Sequence, residues 1–255
     1  MKIAVFDSGF GSISIIREIQ KIFKGELIYF ADQKNFPYGV KSKKELEAII
    51  KDTVDLLEEK FSPDLIIMAS NTPTLLLDYI VISSKLIGVY PPLSNAVKIS
   101  RTRNIAILGT RSVIQSKFSL DRFIEKCNVP NNIVIHKIDC SLLIELVESG
   151  KFLTDEEYCK NIIKEVLEDI FSDNLIDVAT LSSTHLPFLE PFLRSIFKNV
   201  KFLDPAKNIA NTLTHFEDND LRQNALKLFT SGDVNIFKKN LQMMGIDGEV
   251  NFLTV

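Results

Sequence analysis

The sequence lacks the features that mark most membrane, secreted and nucleic-acid-binding proteins. No apolar run approaches the roughly 20 residues that a membrane-spanning helix needs. The first apolar stretch is interrupted at Asp7, so it does not resemble a signal peptide. The 30 Lys and Arg residues do not exceed the 33 Asp and Glu residues, which argues against a surface for nucleic acid. We therefore expect a cytoplasmic protein whose partners include neither a membrane nor nucleic acid.

Cofactor and disulfide signals are also missing. The three cysteines, Cys127, Cys140 and Cys159, have no metal-ligand spacing, and their small, odd number argues against a secreted disulfide framework. We interpret all three as structural or surface thiols. No Walker loop occurs, and residues 7–11 (DSGFG) lack the third glycine of the dinucleotide fingerprint. We expect neither a metal nor a nucleotide cofactor.

What the chain does contain is an alternation of short β-branched runs with stretches of helical periodicity. The predicted strands are residues 2–6, 27–31, 65–69, 87–90, 105–108, 133–138, 178–181 and 200–203. Such alternation predicts an α/β fold of βαβ units around largely parallel sheets. The length allows one large unit, but eight strands in 255 residues favour two lobes. Prolines at 91–92 and 205 indicate the boundaries, and the tail from 208 is too short for its own core.

Four of the predicted strands end in turns of small polar residues. These turns are Asp7-Ser8-Gly9, Ser70-Asn71-Thr72, Gly109-Thr110 and Ser182-Ser183-Thr184-His185. The first resembles the third and the second resembles the fourth, which suggests two lobes related by a pseudo-twofold. Ligands of parallel α/β sheets bind beyond the carboxyl ends of the strands. We predict a cleft between the lobes for a small, carboxylate-bearing molecule, although each turn alone is also explained by helix capping.

Three side chains near these turns are candidates for chemistry or binding. Asp7 is suited to cap a turn, to act as a general base or to pair with a substrate amine. His185 is either a structural histidine or an acid–base group. Tyr38 follows Pro37 and precedes Gly39 in a turn that would present its hydroxyl to a ligand.

Two glutamates one helical turn apart, Glu145 and Glu148, precede a helix stop at Ser149-Gly150. Their spacing alone favours a solvated helix face.

At the turns the chain resembles the glutamate racemases, and the resemblance runs nearly end to end. Seven motifs occur in the family order: DSGFGS at 7–12, the loop from Asp32 to PYG at 37–39, SNT at 70–72, LGT at 108–110, VES at 147–149, SSTH at 182–185 and TSGD at 230–233. The resemblance implies two three-layer α/β lobes, residues 1–95 with 207–255 and residues 96–206. It also implies glutamate held between them, no cofactor and, as an open possibility, a homodimer.

The resemblance also implies roles for individual residues. In the family, two cysteines flank the α-carbon of the substrate, and one removes a proton while the other delivers one. Here those positions are Ser70 and Ser183, assisted by Asp7 and His185. The positions implied for substrate binding are Ser8, Pro37, Tyr38, Gly39, Asn71, Thr72, Thr110, Glu148 and Thr184.

The chain departs from the family at the two residues that carry out its chemistry. A serine hydroxyl is a far weaker base than a thiolate, so this change affects proton transfer directly. Ser12, Pro73 and Ser182 also differ from the family residues, which favours natural divergence over a laboratory replacement of two cysteines. Three functions remain open. The first is a binding or regulatory protein for an acidic amino acid or dicarboxylate. The second is an enzyme with other chemistry on such an acid. The third is a slow or recently inactivated racemase that supplies D-glutamate for peptidoglycan.

Overall fold

A computed structural model describes residues 1–78, 83–213 and 225–254 of the chain. The chain divides into two compact units. Unit 1 comprises Met1–Val89 and Ala206–Val255, and unit 2 comprises Tyr90–Pro205. Unit 1 is therefore built from both ends of the chain, whereas unit 2 is continuous.

Strands and helices alternate along the described residues. The strands are β1 Lys2–Asp7, β2 Glu26–Ala31, β3 Leu65–Met68, β4 Leu86–Gly88, β5 Asn104–Gly109, β6 Val134–Asp139, β7 Val178–Ser182, β8 Lys201–Leu203, β9 Ala225–Thr230 and β10 Val250–Phe252. The α-helices are α1 Ile13–Ile22, α2 Lys43–Phe61, α3 Asn71–Leu76, α4 Leu93–Ile99, α5 Arg111–Gln115, α6 Lys117–Lys126, α7 Ser141–Glu148, α8 Glu156–Phe171, α9 Glu190–Ile196, α10 Ala206–Leu213 and α11 Val234–Met243. Short 3₁₀ turns occupy Gln33–Asn35, Tyr38–Val40, Lys151–Leu153 and Leu186–Leu189.

The sheet of unit 1 has six parallel strands in the order β10-β9-β2-β1-β3-β4. Helix α2 packs on this sheet through residues spaced three or four apart, which places them on one helical face. The residues on that face are Leu46, Ile50, Val54 and Leu57, and all four are buried in the core. Ser42 and Glu45 form a capping box that begins the helix.

The sheet of unit 2 has four parallel strands in the order β6-β5-β7-β8. Helix α8 buries one stripe of residues spaced four apart, and Asp155 caps its first turn through the backbone N–H of Tyr158. The stripe consists of Cys159, Ile163, Leu167 and Phe171. Strand β7 is buried along its whole length. An α/β fold with parallel sheets is thus confirmed.

The two strands of the C-terminal tail were not predicted from the sequence. Strand β9 pairs with β2 in parallel from Ala225 opposite Glu26 to Thr230 opposite Ala31. Strand β10 is only three residues long and pairs with β9. The prediction missed β9 because its partner β2 is distant in sequence, and it missed β10 because a three-residue edge strand carries little local signal.

Within residues 1–78, 83–213 and 225–254, every helix is too short or too polar to cross a lipid bilayer.

Candidate functional site

The polar turns of unit 1 lie at one edge of its sheet. Strands β1 and β3 are parallel neighbours, so the turns that follow them start at the same edge. The backbone N–H of Ala69 donates to Phe6 O at 2.8 Å, and the N–H of Asp32 donates to Asp7 O at 2.7 Å. The ends of β1, β2 and β3 are therefore fastened to one another where the candidate residues begin.

Asp7 and Ser8 form the first of these turns. Both are buried, and the backbone N–H of Ser8 donates to Asp7 Oδ1 at 2.7 Å. Deeper in the same turn, Ser12 Oγ donates to the hydroxyl of Tyr29, which donates to Gly9 O. This chain of hydrogen bonds holds the turn rigid, because buried polar groups with complete networks resist local movement.

The Ser70 turn is held by Thr74 and Asn71. Thr74 Oγ1 donates to Ser70 O at 2.7 Å and accepts from the backbone N–H of Val89 at 3.1 Å. Asn71 Nδ2 donates to Val89 O at 2.7 Å. Asn71 Oδ1 has no hydrogen-bond partner in the described part of the chain, although the residue is only 2% exposed. The turn thus presents an unpaired, buried acceptor.

Tyr38 does not offer its hydroxyl proton to a ligand in the way the sequence suggested. The residue is buried, and its hydroxyl donates to Asp32 Oδ2 at 3.0 Å. Asp32 also accepts from Asn35 Nδ2 and from Ser231 Oγ. Burial raises the pKa of Asp32, although these hydrogen bonds oppose the rise.

Asp32 and Ser231 were not singled out as site residues by sequence reasoning. They belong to the motifs at 32–39 and 230–233, and their contact joins the tail to the Tyr38 loop. The sequence did show both motifs, but the order of motifs along a chain does not reveal which of their residues are in contact. Pro37 and Gly39 flank Tyr38 in this loop and are half-buried.

In unit 2, β5 and β7 are neighbours, so Thr110 and the residues after Ser182 start at the same sheet edge. Thr110 is the N-cap of α5, and its Oγ1 accepts from Val113 N at 3.4 Å. The capping interpretation therefore accounts for this threonine.

The turn after β7 brings three candidate side chains together. Ser183 Oγ lies 3.4 Å from His185 Nδ1, and His185 Nε2 contacts Glu148 Oε1. The Glu148 side chain is 14% exposed and that of His185 only 7%. The solvated-face interpretation was wrong for Glu148, because the last turn of α7 packs against the histidine; Glu145 is exposed. Thr184, between the serine and the histidine, is buried.

The three cysteines, Cys127, Cys140 and Cys159, lie outside these turns in the sequence. Cys140 follows β6 and is fully buried, and burial together with the neighbouring Asp139 raises the pKa of its thiol. Burial also raises the thiol pKa of Cys127 and Cys159. A thiol with a raised pKa is a poor source of thiolate at neutral pH.

Two parallel sheets with polar turns at their carboxyl ends define an α/β protein of two parallel-sheet units, and solved structures of glutamate racemases have the same fold. A glutamate racemase isoform from Bacillus anthracis matches with a TM-score of 0.84 and 25% identity, over 100% of this chain and 97% of that one. The Escherichia coli glutamate racemase, crystallised with L-glutamate and the activator UDP-MurNAc-Ala, also gives 0.84, at 22% identity over 100% and 98%.

Sequence similarity extends this likeness from fold to family. The glutamate racemase of Clostridium kluyveri is 32% identical over 245 residues, which cover 90% of this chain and 91% of that protein. No protein-family model matches the chain. The chain belongs to the glutamate racemase family.

Proposed function

We propose that the protein binds glutamate or a closely related acidic amino acid or dicarboxylate without a cofactor, and that racemisation by the family mechanism is lost or very weak. The observation that carries the binding proposal is the buried Oδ1 of Asn71, which has no hydrogen-bond partner among the described residues.

The orientation of the Asn71 amide follows from its partner. The carbonyl oxygen of Val89 only accepts hydrogen bonds, so it must face Nδ2, which leaves Oδ1 as the free acceptor. A buried polar atom without a partner costs about 1–3 kcal/mol. The ammonium group of an amino acid offers N–H donors that would remove this cost. Asn71 therefore supports an amino acid over a dicarboxylate without an amine.

The other proposed ligand-binding groups are suited to carboxylates. Ser8, Thr72 and Thr184 are buried hydroxyl residues in turns that follow parallel strands, where hydroxyls and backbone N–H groups bind anions. The family resemblance implies further positions beside the ligand at Pro37, Tyr38, Gly39, Thr110 and Glu148. Of these, Glu148 is itself a carboxylate and only accepts hydrogen bonds, so it is suited to the ammonium group of the ligand rather than to a carboxylate. The L-glutamate in the Escherichia coli relative supports an acidic amino acid as the ligand.

The proposed loss of racemisation rests on the two serines. A free thiol has a pKa near 8.5, and a serine hydroxyl loses its proton roughly five pH units higher. Forming the anion then costs about 7 kcal/mol more, at ~1.4 kcal/mol per pH unit. That cost corresponds to a rate about 10⁵-fold lower for each proton transfer. Racemisation requires two such transfers, at Ser70 and Ser183.

Calorimetric titration tests the binding proposal. We expect L- or D-glutamate to bind and glutarate, which lacks the amine, to bind at least tenfold more weakly. Asn71→Leu in unit 1 and Thr184→Val in unit 2 should both weaken binding. Asn199→Ala is the matched control, because Asn199 is exposed and its side chain hydrogen-bonds, within the described residues, only to Asn174. No heat with any acidic amino acid at millimolar concentration would remove the proposal.

Exchange of the α-hydrogen in deuterated water tests the racemisation proposal. We expect glutamate to bind without measurable exchange. Rapid exchange would instead establish a working racemase, and conversion of a glutamate-like acid into a new product would establish different chemistry. The first of these outcomes would overturn the proposed loss.

A further inference from the structure

Ser183 is linked to a base and a carboxylate in a way that the proposed binding function does not use. Its Oγ lies 3.4 Å from His185 Nδ1, and the backbone N–H of His185 also points to this oxygen at 3.4 Å. The opposite ring nitrogen, Nε2, contacts the carboxylate of Glu148. The hydroxyl of Ser183, the imidazole of His185 and the carboxylate of Glu148 are thus linked one after the other, and we call them the Ser183 series.

The serine at the corresponding turn of unit 1 has no such arrangement. Ser70 is the N-cap residue of α3, but its side chain makes no capping hydrogen bond. Across residues 1–78, 83–213 and 225–254, the Ser70 hydroxyl has no hydrogen-bond partner. The two serines therefore differ: among the described residues, Ser183 is hydrogen-bonded to a group that can take its proton, whereas Ser70 is not.

Burial strengthens the Ser183 series. The side chains of His185 and Glu148 are 7% and 14% exposed, so little water screens the attraction between them. A carboxylate on one ring nitrogen fixes the tautomer that leaves the other nitrogen unprotonated, and it stabilises the imidazolium that forms on proton transfer. The separation of 3.4 Å between Ser183 Oγ and His185 Nδ1 is longer than the roughly 2.6–3.2 Å of a formed nucleophile–base hydrogen bond, and such contacts are often longer before substrate binds.

We propose that Ser183 is a nucleophile for acyl transfer, activated by His185 and positioned through Glu148, and that it accepts the acyl group of small carboxylic esters. This activity does not depend on whether the protein binds glutamate. Ser183 is 5% exposed, which restricts the substrate to small acyl groups.

The reaction proceeds in two balanced halves. Ser183 Oγ attacks the carbonyl carbon while its proton passes to Nδ1 of neutral His185, and the carbonyl π electrons move to the oxygen. Collapse of this adduct breaks the bond to the alcohol oxygen, which takes the proton back from Nδ1. Water then attacks the acylated Ser183 with His185 again as the base. The carboxylic acid leaves, and the serine is regenerated.

The first test uses the wild-type protein and a fluorophosphonate probe, which reacts with activated serines as an ester does. Peptide mass spectrometry should place the adduct on Ser183 and leave Ser70 unmodified. The labelling rate should fall in acid as His185 gains a proton, a dependence that a purely structural histidine would not give. An unmodified Ser183, or equal modification of Ser70, would overturn the proposal.

Variants identify the roles of the three residues. Ser183→Ala should abolish labelling and the hydrolysis of p-nitrophenyl acetate, and His185→Ala should slow both at least 100-fold. Glu148→Gln should slow both at least tenfold and alter the pH profile, because the amide no longer fixes the tautomer. Ser182→Ala is the matched control: its hydroxyl bonds to Thr180 rather than to His185, so labelling should persist. Labelling at the wild-type rate in folded His185→Ala would contradict the mechanism.

Discussion

At the scale of single residues, two carboxylates of this chain have pKa values displaced in opposite directions. Burial raises the pKa of Asp32 despite its hydrogen bonds. Burial also acts on Asp177, but hydrogen bonds from Ser100, Arg101 and Thr102 outweigh it and lower the pKa. The balance between desolvation and hydrogen bonding therefore decides the sign at each site.

This difference predicts opposite effects of pH on stability. Because the folded pKa of Asp177 lies below its unfolded value, its contribution is present above pH ~4 and is lost as pH falls through the folded pKa. Asp32 has the raised folded pKa, so its ionisation reduces stability as pH rises through that value. We expect Asp177→Ala to lower the free energy of unfolding by about 1–3 kcal/mol at pH 7 and by less at pH 3.

Urea unfolding at pH 7, 4 and 3 measures this effect as the difference between variant and wild type. Asp52→Ala is the control, since Asp52 is exposed on α2 and makes no hydrogen bond in the described part of the chain. An Asp177→Ala effect that is equal at pH 7 and pH 3 would refute the assigned role.

At the scale of elements, the capping box of α2 leads to a prediction about the stability of the protein. Glu45 N donates to Ser42 Oγ at 3.3 Å, and Ser42 N donates to Glu45 Oε2 at 2.9 Å. Ser42→Ala removes one of these bonds and should destabilise the protein by about 0.5–2 kcal/mol in urea unfolding. Ser116→Ala is a matched control, because Ser116 precedes α6 without a side-chain capping bond. Equal losses in the two variants would contradict the proposed role of the box.

The elements also show which parts of this fold a sequence can reveal. Buried strands such as Leu65–Met68 are runs of apolar residues and were predicted to within a residue. Strand β9 mixes exposed and buried positions, and only pairing with β2 defines it. The strand-end turns can likewise be predicted from local sequence patterns. The contacts of Glu148 with His185 and of Ser231 with Asp32 cannot be predicted in this way, because each joins residues that are distant in sequence.

At the scale of the whole molecule, the division of the chain into two units predicts that different truncated fragments differ in their ability to fold. Unit 2 is one continuous segment, Tyr90–Pro205, with all four strands of its sheet. We expect residues 90–205 to fold alone and to give a dispersed NMR spectrum and cooperative unfolding. Residues 1–205 lack β9 and β10, so the edge of β2 is left unpaired and prone to aggregate. A stable, monomeric 1–205 fragment would contradict the structural role of the tail.

Racemisation by the family mechanism also concerns the whole molecule, because it requires both Ser70, which belongs to unit 1, and Ser183, which belongs to unit 2. If the two bases are all that was lost, the double variant Ser70→Cys, Ser183→Cys should restore measurable exchange of the α-hydrogen of glutamate in deuterated water. Asp7 and His185 are retained beside the two turns, and Asn71 still offers its Oδ1. Each single cysteine should give at most one-sided exchange, because the second face then lacks a proton donor.

We expect this recovery to be partial, because Ser182 and Pro73 alter the turns that orient the new thiols, and a displacement of about 1 Å can cost ~10²-fold in rate. Adding Ser182→Gly should then increase exchange. The control is the double variant Ser70→Ala, Ser183→Ala, which removes both hydroxyls without supplying thiols and should show no exchange. A double-cysteine protein that folds and binds glutamate, yet exchanges no α-hydrogen, would show that more than the two bases has changed. In that case the acyl-transfer chemistry proposed for Ser183 becomes the better account of why this turn retains His185 and Glu148.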